Sequence, residues 1–293
     1  MRYEGATVTR VITTPAVIDQ IYLVYTGNTY SERQFCMKFG TSKCICGIAW
    51  DTISQSDNNF SEDNLKLQDL LKCMHFLKVY ATEENVCKLF HVTEKSFRIK
   101  YKNALKALAH LPLICWESRH LSENRGDKAK TSFDCTDAPI NEPSPFDRKW
   151  YSHKFKGPGL RYEIGVCIAN GHIVWVNGAY PCGLWSDIKI ARDCLLLELL
   201  PDERVLADGG YKGEEQIWAK GHSGYQNVTS IMEGKARARH ETVNRLFKNF
   251  GVLKQPFRHE LSLHATCFYA VANLVQLMIK FENPVFMVSY YEE

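Results

Sequence analysis

The stretch Glu203-Arg204-Val205-Leu206-Ala207-Asp208-Gly209-Gly210-Tyr211 decides how the second half of this chain folds. Its apolar run has the length of one buried strand, and it ends abruptly in an aspartate. The two glycines that follow let the backbone turn sharply away from a sheet. Side chains with chemical roles in α/β sheets gather just beyond strand ends, so Asp208 is the first candidate functional residue.

Strand and helix patterns alternate on both sides of this stretch. The dipeptide Asn170-Gly171 is a strong hairpin signal between two apolar runs. The predicted elements in chain order are a strand over 131–136, hairpin strands over 162–169 and 172–176, a helix over 186–200, the strand 203–207, and helices over 237–250 and 264–280. This order predicts an α/β sheet with helices packed on it.

The first 120 residues are predicted to be helical. Ser31 with Gln34 forms a capping box for a helix that Gly40 would end. A helix over 83–90, a turn at His91-Val92 and a helix from Thr93 suit a helix-turn-helix within 82–109. The expected organisation is a helical domain over 1–121, a polar linker over 122–130 and an α/β domain over 131–293.

Composition places the chain among globular proteins and excludes several classes. The 293 residues are 45% hydrophobic, 24% charged and 12% aromatic. The best apolar run, 271–279, is interrupted by Asn273 and Gln276, so no membrane span is expected. Eleven cysteines without a Cys-x-x-Cys pair indicate reduced, packed thiols rather than disulfides or a zinc ribbon. No phosphate-binding Gly-x-x-x-x-Gly-Lys-Ser/Thr loop is present, which argues against a P-loop nucleotidase.

Positive charge is concentrated in three segments, although the net charge is only +3. Residues 93–106 carry five Lys or Arg against Glu94, and residues 148–161 carry five and no acid. Residues 235–258 carry seven against Glu241 alone. One such cluster is usually a solvated face, but three in a nearly neutral chain indicate a polyanionic partner.

Three carboxylates are candidate chemical groups. Asp134 lies on the polar side of the first strand, Asp208 follows a later strand, and Glu241 lies opposite the apolar face of the 237–250 helix. Each has a simpler reading: Asp134 as an edge-strand acid, Asp208 as a turn former, and Glu241 as a partner for Arg245.

Taken together, the motifs around these acids resemble the catalytic domain of DDE transposases, most closely the Harbinger-like group and its bacterial insertion-sequence relatives. The resemblance runs from residue 134 to the end of the chain. The matching motifs are Asp134-Cys135-Thr136-Asp137, Asp208-Gly209-Gly210-Tyr211 and Arg239-His240-Glu241-Thr242-Val243-Asn244-Arg245-Leu246-Phe247. Cys135 replaces the usual Gly, and Asp137 replaces the usual His. Asp137 therefore competes with Asp134 as a ligand, although strand alternation favours Asp134.

The resemblance implies a ribonuclease-H-like, retroviral-integrase-like α/β fold preceded by a helical helix-turn-helix-like domain. It implies that Asp134, Asp208 and Glu241 bind two Mg²⁺ ions, with Mn²⁺ as a substitute and Asp134 bridging the pair. Two hard cations stabilise charge on the entering and leaving oxygens of a phosphodiester. The implied function is a transposase that nicks DNA and joins the resulting 3′-OH to target DNA.

The basic segments then become candidate DNA contacts. Sequence choice would come from the helix that carries Lys95, Arg98, Lys102 and Lys106. Contacts to the DNA backbone would come from His153, Lys154, Lys156, Arg237, Arg245 and Lys248.

Several alternatives and expectations accompany this reading. The chain is alternatively a domesticated, transposase-derived DNA-binding or nuclease protein that no longer transposes. Transposon ends and target DNA are the expected partners, together with a second copy of the chain. The need for an accessory Myb-like DNA-binding protein, seen in Harbinger-like relatives, stays open. Nuclear localisation is expected in a eukaryote, and cytoplasmic localisation with the chromosome otherwise. His222, His240, His259 and His264 are read as surface histidines rather than as a zinc site.

Overall fold

A computed structural model describes residues 13–27, 29–56, 65–120, 129–219 and 230–286, without the side chains of residues 24–26 and 230–233. Most of the predicted linker, 122–130, and His222 lie outside the described residues. The chain divides into two compact units, Met1–Leu111 with Phe250–Val252, and Pro112–Asn249 with Leu253–Glu293. The predicted boundary between the domains falls on residues that are not described, so it stays a prediction.

The first unit is helical in its described residues, as the sequence predicts. Its helices are α1 (Pro15–Thr26), α2 (Glu32–Phe39), α3 (Lys43–Gln55), α4 (Leu67–Val79), α5 (Glu83–Phe90) and α6 (Glu94–Ala109). The capping box of Ser31 and Gln34 forms at the start of α2, and Gly40 ends that helix with a left-handed φ of 84°. These local signals are confirmed.

The pair α5 and α6 has the predicted form of two helices joined by a tight turn. His91 ends α5 in the left-handed region, and the side chain of Thr93 caps α6 by accepting from the Ser96 N–H. The predicted apolar stripe of α6 is buried, from Phe97 and Tyr101 to Leu108. The helices are therefore confirmed, whereas their use as a DNA-reading helix-turn-helix stays a prediction.

The second unit contains a six-stranded mixed sheet. Its strands are β1 (Thr131–Pro139), β2 (Tyr151–Ser152), β3 (Gly157–Cys167), β4 (Ile173–Pro181), β5 (Val205–Ala207) and β6 (Ile217–Trp218). The order is β2-β3-β1-β5-β6, and β4 also pairs with β3. The β1–β3 and β3–β4 pairs are antiparallel, whereas β1–β5 and β5–β6 are parallel. This mixed sheet is consistent with a ribonuclease-H-like endonuclease fold.

β1 is a central strand, with β3 on one side and β5 on the other. The reading of Asp134 as an edge-strand acid is therefore wrong. The hairpin predicted at Asn170-Gly171 is confirmed, and Gly171 takes a φ of 73° there. β3 begins at Gly157, well before the predicted start, because its pairing with β1 continues past the apolar run.

One helical run packs on the sheet face that carries Phe133 and Cys135. It consists of α7 (Asp187–Ile190), a π-helical turn (Ala191–Leu195) and α8 (Leu196–Glu198). Ile190, Ala191 and Leu195 are buried in the core on that face. The sequence predicted one regular helix to Leu200, and the π turn, which period counting does not detect, interrupts it.

The remaining helices are α9 (Ser230–Lys248), α10 (Gly251–Lys254) and α11 (Leu261–Phe281). α9 starts before the predicted residue 237, since its first turns lack the apolar period on which the prediction relied. β6 and α10 were not predicted either. Both are too short to show a period of their own.

α11 is long and apolar enough to span a membrane by length and composition alone. In the described structure most of the helix is buried against the sheet. Gln276 accepts a hydrogen bond from the Ile173 N–H at 2.8 Å, and His264 Nδ1 lies 2.7 Å from the Tyr162 hydroxyl. These contacts make α11 a core helix of the second unit. His264 is therefore buried, and its reading as a surface histidine is wrong.

Candidate active site

The register of the two parallel strands sets Asp134 beside Asp208. Phe133 on β1 pairs with Ala207 on β5, so the next residue of each chain is an aspartate. Neighbouring strands lie about 4.8 Å apart, and side chains two residues apart share a face. Asp208 caps a short turn over Gly209–Tyr211, where its Oδ1 accepts from the Gly210 N–H at 2.8 Å.

α9 brings the third carboxylate to the same place. Residues three and four apart on a helix share a face, and Arg237, His240 and Glu241 line one cavity of about 340 Å³. The other lining residues are Ser132, Phe133, Asp134, Leu206, Ala207, Asp208 and Ala236. The fold therefore brings all three sequence-predicted carboxylates to one pocket.

The three carboxylates share the pocket without meeting at one point. Within the described residues, no group of three or more His, Cys, Asp or Glu side chains is placed to hold a metal ion. Asp134 is half-buried, whereas Asp208 and Glu241 are exposed. Their oxygen atoms suit a hard divalent cation chemically, so the donor set fits Mg²⁺ or Mn²⁺. Shared coordination of one ion by all three would need a different arrangement of these side chains from the one described.

Two residues beside the three acids were given no role at this site by the sequence analysis. Asn244, one turn beyond Glu241, donates from Nδ2 to Asp134 Oδ2 at 3.1 Å. His240 is buried, with Nε2 2.9 Å from the Ser132 hydroxyl, so its reading as a surface histidine is wrong. Burial lowers the pKa of His240, although Asp134 raises it in part. For Asn244 the spacing was the available signal, since it lies three residues after Glu241 and shares its face of α9. His240 lies four residues before Asn244, so the same rule places it beside Asn244.

Asp137 lies on the other face of the sheet, as strand alternation predicts. It is buried, and Arg161 donates to it from Nε at 2.8 Å and from Nη2 at 3.0 Å. Burial would raise the pKa of Asp137, but the hydrogen bonds from Arg161 and Ser152 outweigh burial and hold it below its usual range. Asp137 is therefore committed to an internal ion pair and does not line the cavity.

Arg161 also connects this ion pair to the turn that carries Asp208. Its Nη1 lies 2.9 Å from Asp187 Oδ1 at the start of α7. A Cβ built on Gly210 would lie 2.6 Å from Asp187 Oδ2 and 3.0 Å from Asp208 Oδ1. The two carboxylates therefore approach the same glycine from different elements, and the turn has no spare room there.

Cys135 occupies a buried polar cluster instead of the small residue that the family motif usually has. Its Sγ lies 3.1 Å from the Tyr211 hydroxyl, and burial raises the thiol pKa well above its ordinary value. Glu163, opposite Cys135 in the β1–β3 register, accepts from Trp175 Nε1 at 2.8 Å. Cys135 therefore contacts Tyr211, the last residue of the turn that begins at Asp208.

The predicted backbone contacts lie at different distances from the pocket. Arg237 lines it, whereas Arg245 and Lys248 are exposed further along α9. Glu241 and Arg245, both described, form no ion pair, so that simpler reading of Glu241 is wrong. His153, Lys154 and Lys156 form the loop between β2 and β3, and Lys154 Nζ donates to the Cys135 carbonyl, next to Asp134.

The predicted sequence-reading residues lie in the first unit. Lys95, Arg98, Lys102 and Lys106 are exposed on α6. The guanidinium of Arg98 pairs with Glu83 at 2.6 Å and with Glu94 at 3.0 Å, which neutralises much of its charge locally. The remaining three residues, Lys95, Lys102 and Lys106, form no ion pair with any described residue.

Comparison with known proteins finds a matching family model. Residues 133–276 match the family model described as DDE superfamily endonuclease, and the matched segment contains Asp134, Asp208 and Glu241. Searches of curated proteins and of solved structures return no match. The match points to a transposase-type nuclease, since proteins of that family act on DNA and generally use divalent metal ions. The α/β region of this chain is thus similar to the DDE superfamily endonucleases.

Proposed function

We propose that this protein is a metal-dependent DNA nuclease and strand transferase that uses Asp134, Asp208 and Glu241 as its metal ligands. The observation that carries the proposal is that these three acids, far apart in sequence, line one open pocket. Bound there, two divalent cations would stabilise charge on the entering and leaving oxygens of a phosphodiester. Arg237, at the rim of the same pocket, would hold a neighbouring phosphate.

The chain's own residues have separable tasks in this reaction. Asn244 orients Asp134 by donating to its Oδ2, and the turn after Asp208 fixes that carboxylate through the Gly210 N–H. Hydrolysis forms a P–O bond to the oxygen of water and breaks the bond from phosphorus to the 3′ oxygen, which leaves a 3′-hydroxyl and a 5′-phosphate. Strand transfer then uses that hydroxyl to form a P–O bond with target DNA as another P–O bond breaks. Joining two DNA ends requires two active sites, so the acting form is proposed to be a homo-oligomer.

The test is nicking of duplex DNA by the full chain with Mg²⁺ or Mn²⁺. We expect Asp134→Asn, Asp208→Asn and Glu241→Gln each to slow nicking by at least about 100-fold, as loss of charge stabilisation does in other enzymes. Asp202→Asn, which changes an exposed aspartate outside the pocket, serves as the matched control. Full nicking in any pocket variant would remove that residue from the site.

Binding measured without divalent metal separates catalysis from recognition. The three pocket variants should bind duplex DNA nearly as the wild type does, because removing an acid next to Arg237 removes no phosphate contact. Direct Mn²⁺ binding, followed by electron paramagnetic resonance, should weaken in each variant. A wild-type chain that binds no Mn²⁺ would contradict the metal site whatever its activity.

A second function is favoured by one observation, the lack of convergence of the three acids in the described structure. A domesticated descendant that binds DNA without cutting it would keep the fold and the basic surfaces. Such a protein would bind duplex DNA but would neither nick it nor join a supplied 3′-hydroxyl end to a target plasmid with either metal.

A further inference from the structure

Several aromatic and other apolar side chains are exposed on one part of the second unit. Phe146 is 55% exposed, Leu184 50% and Phe155 39%. Partly buried rings lie in the same two stretches of chain, 146–155 and 183–185. We call this surface the aromatic shelf, and its members are Phe146, Trp150, Tyr151, Phe155, Leu184 and Trp185.

The two stretches of the shelf are packed against each other. The Gly183 N–H donates to the Lys149 carbonyl at 2.8 Å, and the Cys182 N–H donates to the Gly159 carbonyl at 3.2 Å. A Cβ on Gly183 would lie only 2.2 Å from the Arg148 carbonyl oxygen and 3.1 Å from that of Tyr151. Leu184 and Trp185 therefore belong to the same surface as the 146–155 stretch.

Positive charge surrounds these rings. Residues 146–156 contain four Lys or Arg and His153, against the single acid Asp147. Lys149 Nζ lies 5.4 Å from the centre of the Trp150 ring, and Lys189 Nζ lies 5.2 Å from that of Trp185. A surface built for an apolar protein partner has no need of so many cations. Aromatic rings among cations are the pattern of single-stranded nucleic-acid binding.

The shelf is joined to the pocket at two points. Lys154, next to Phe155, reaches the Cys135 carbonyl and thus the strand that carries Asp134. Arg161 Nη1 donates to the Trp185 carbonyl at 3.0 Å and pairs with Asp187, which abuts the turn of Asp208. The shelf is therefore connected through Lys154 to β1, and through Arg161 and Asp187 to the turn of Asp208, and both of these elements line the pocket.

We propose that the aromatic shelf binds unpaired nucleotides that adjoin the scissile phosphate, a role that rests on the proposed nuclease function. The faces of bases are hidden in a duplex and become available only when a strand is unpaired. Stacking of such bases on the shelf, with its cations on the phosphates, favours DNA that is open beside the cut. The shelf thereby selects nicked or frayed ends over intact duplex.

The experiment compares a labelled blunt duplex with the same duplex bearing a short single-stranded overhang, both bound to the full chain without divalent metal. We expect the overhang to bind about tenfold tighter, which corresponds to roughly 1.4 kcal/mol, because stacking of its bases adds to the phosphate contacts. A 2-aminopurine placed in the overhang should lose fluorescence on binding, because stacking quenches it.

Variants assign the effect to the shelf. Phe146→Ala with Trp150→Leu should remove the tenfold preference and the quenching, while blunt-duplex affinity stays unchanged. Phe155→Leu keeps apolar volume next to Gly159, so it protects folding while it removes a ring. Phe281→Ala is the control, because that ring is 40% exposed at the end of α11, outside the shelf. Thermal unfolding confirms that each variant is folded.

The outcomes separate this inference from the function on which it rests. Equal binding of blunt and overhang DNA overturns the shelf proposal and leaves the nuclease proposal standing. Quenching that persists in the folded shelf variants overturns it as well. Failure of the wild type to bind either DNA overturns both.

Discussion

Asp134 depends on a neighbour that lies more than a hundred residues away in sequence. The amide of Asn244 donates to its Oδ2 at 3.1 Å, and the two residues come from β1 and α9. A hydrogen bond to a charged group contributes roughly 1.5–3 kcal/mol. The orientation of Asp134 is thus maintained by a side chain that is not itself an acid.

Removing this donor should affect metal use more than folding. We expect Asn244→Ala to slow nicking by about tenfold, which corresponds to roughly 1.4 kcal/mol, and to raise the Mn²⁺ concentration that gives the half-maximal rate. The measurement is a Mn²⁺ titration of nicking. Asn141→Ala, at an exposed asparagine away from the pocket, should leave the titration unchanged. An unaltered titration in Asn244→Ala would show that Asp134 needs no such support.

The buried carboxyl of Glu163 makes the stability of the protein depend on pH. Burial raises the pKa of its carboxyl to about 7, and hydrogen bonds from Trp175 and Tyr211 offset only part of that rise. The unfolded value is about 4.3, so between the two values the folded state holds a proton that the unfolded state has lost. The stabilising contribution is complete below about pH 4 and is lost as pH rises through 7.

Replacing the acid by its neutral isostere should remove this loss. From about pH 5 to about pH 8, the free energy of unfolding of the wild type should fall by up to about 3 kcal/mol more than that of Glu163→Gln. Urea unfolding at the two pH values measures the difference. Glu215→Gln, whose side chain is 85% exposed, should follow the wild type. If the stability of Glu163→Gln changed with pH as much as that of the wild type, Glu163 would not be the group that titrates.

At the scale of elements, the turn between β5 and β6 shows how little room the site has. Neither Gly209 nor Gly210 has a left-handed φ, so alanine costs no backbone strain at either position. Their surroundings differ sharply. A Cβ on Gly210 would lie 2.6 Å from Asp187 Oδ2, whereas one on Gly209 would meet only the end of Lys212 at 4.0 Å.

Two neighbouring substitutions therefore make a matched pair. Gly210→Ala should displace Asp187 or Asp208 and lower the nicking rate by about tenfold or more, as small displacements of reacting groups do. Gly209→Ala should retain nearly full activity. The rates are compared at saturating metal, after thermal unfolding has shown both variants to be folded. Equal rates would mean that Asp208 tolerates a shift of this turn.

At the scale of the whole molecule, focused charge matters more than net charge. A chain of net charge +3 has little general attraction for DNA, so binding must come from its basic segments. Each phosphate contact makes the log–log salt dependence of affinity steeper by about 0.9. Lys156, Arg237, Arg245 and Lys248 are exposed candidates within the second unit.

Salt titration of duplex binding without divalent metal tests these contacts singly. Replacement of each of the four by alanine should lower the slope by about 0.9, because each removes one phosphate contact. Lys280→Ala, at the end of α11, should leave the slope unchanged. Wild-type affinity that hardly changes between low and physiological salt would contradict the electrostatic account.

Local signals in the sequence predicted most elements, since their causes lie within a few residues. The capping box at Ser31, the turn at His91 and the hairpin at Gly171 all form as predicted. The predictions failed where the signal was weak or nonlocal. The π turn after Ile190 and the start of α9 depend on packing that no short window records.

The sequence by itself determined which residues carry carboxylates and in which elements they lie, because residue type and periodicity are local properties. Only the tertiary structure decided which residues lie beside them. The parallel register of β1 and β5 set Asp134 beside Asp208, and the packing of α9 brought His240, Glu241 and Asn244 to them. These contacts join residues that are far apart in sequence, so they depend on how strands and helices pair and pack. Local sequence patterns do not specify that pairing.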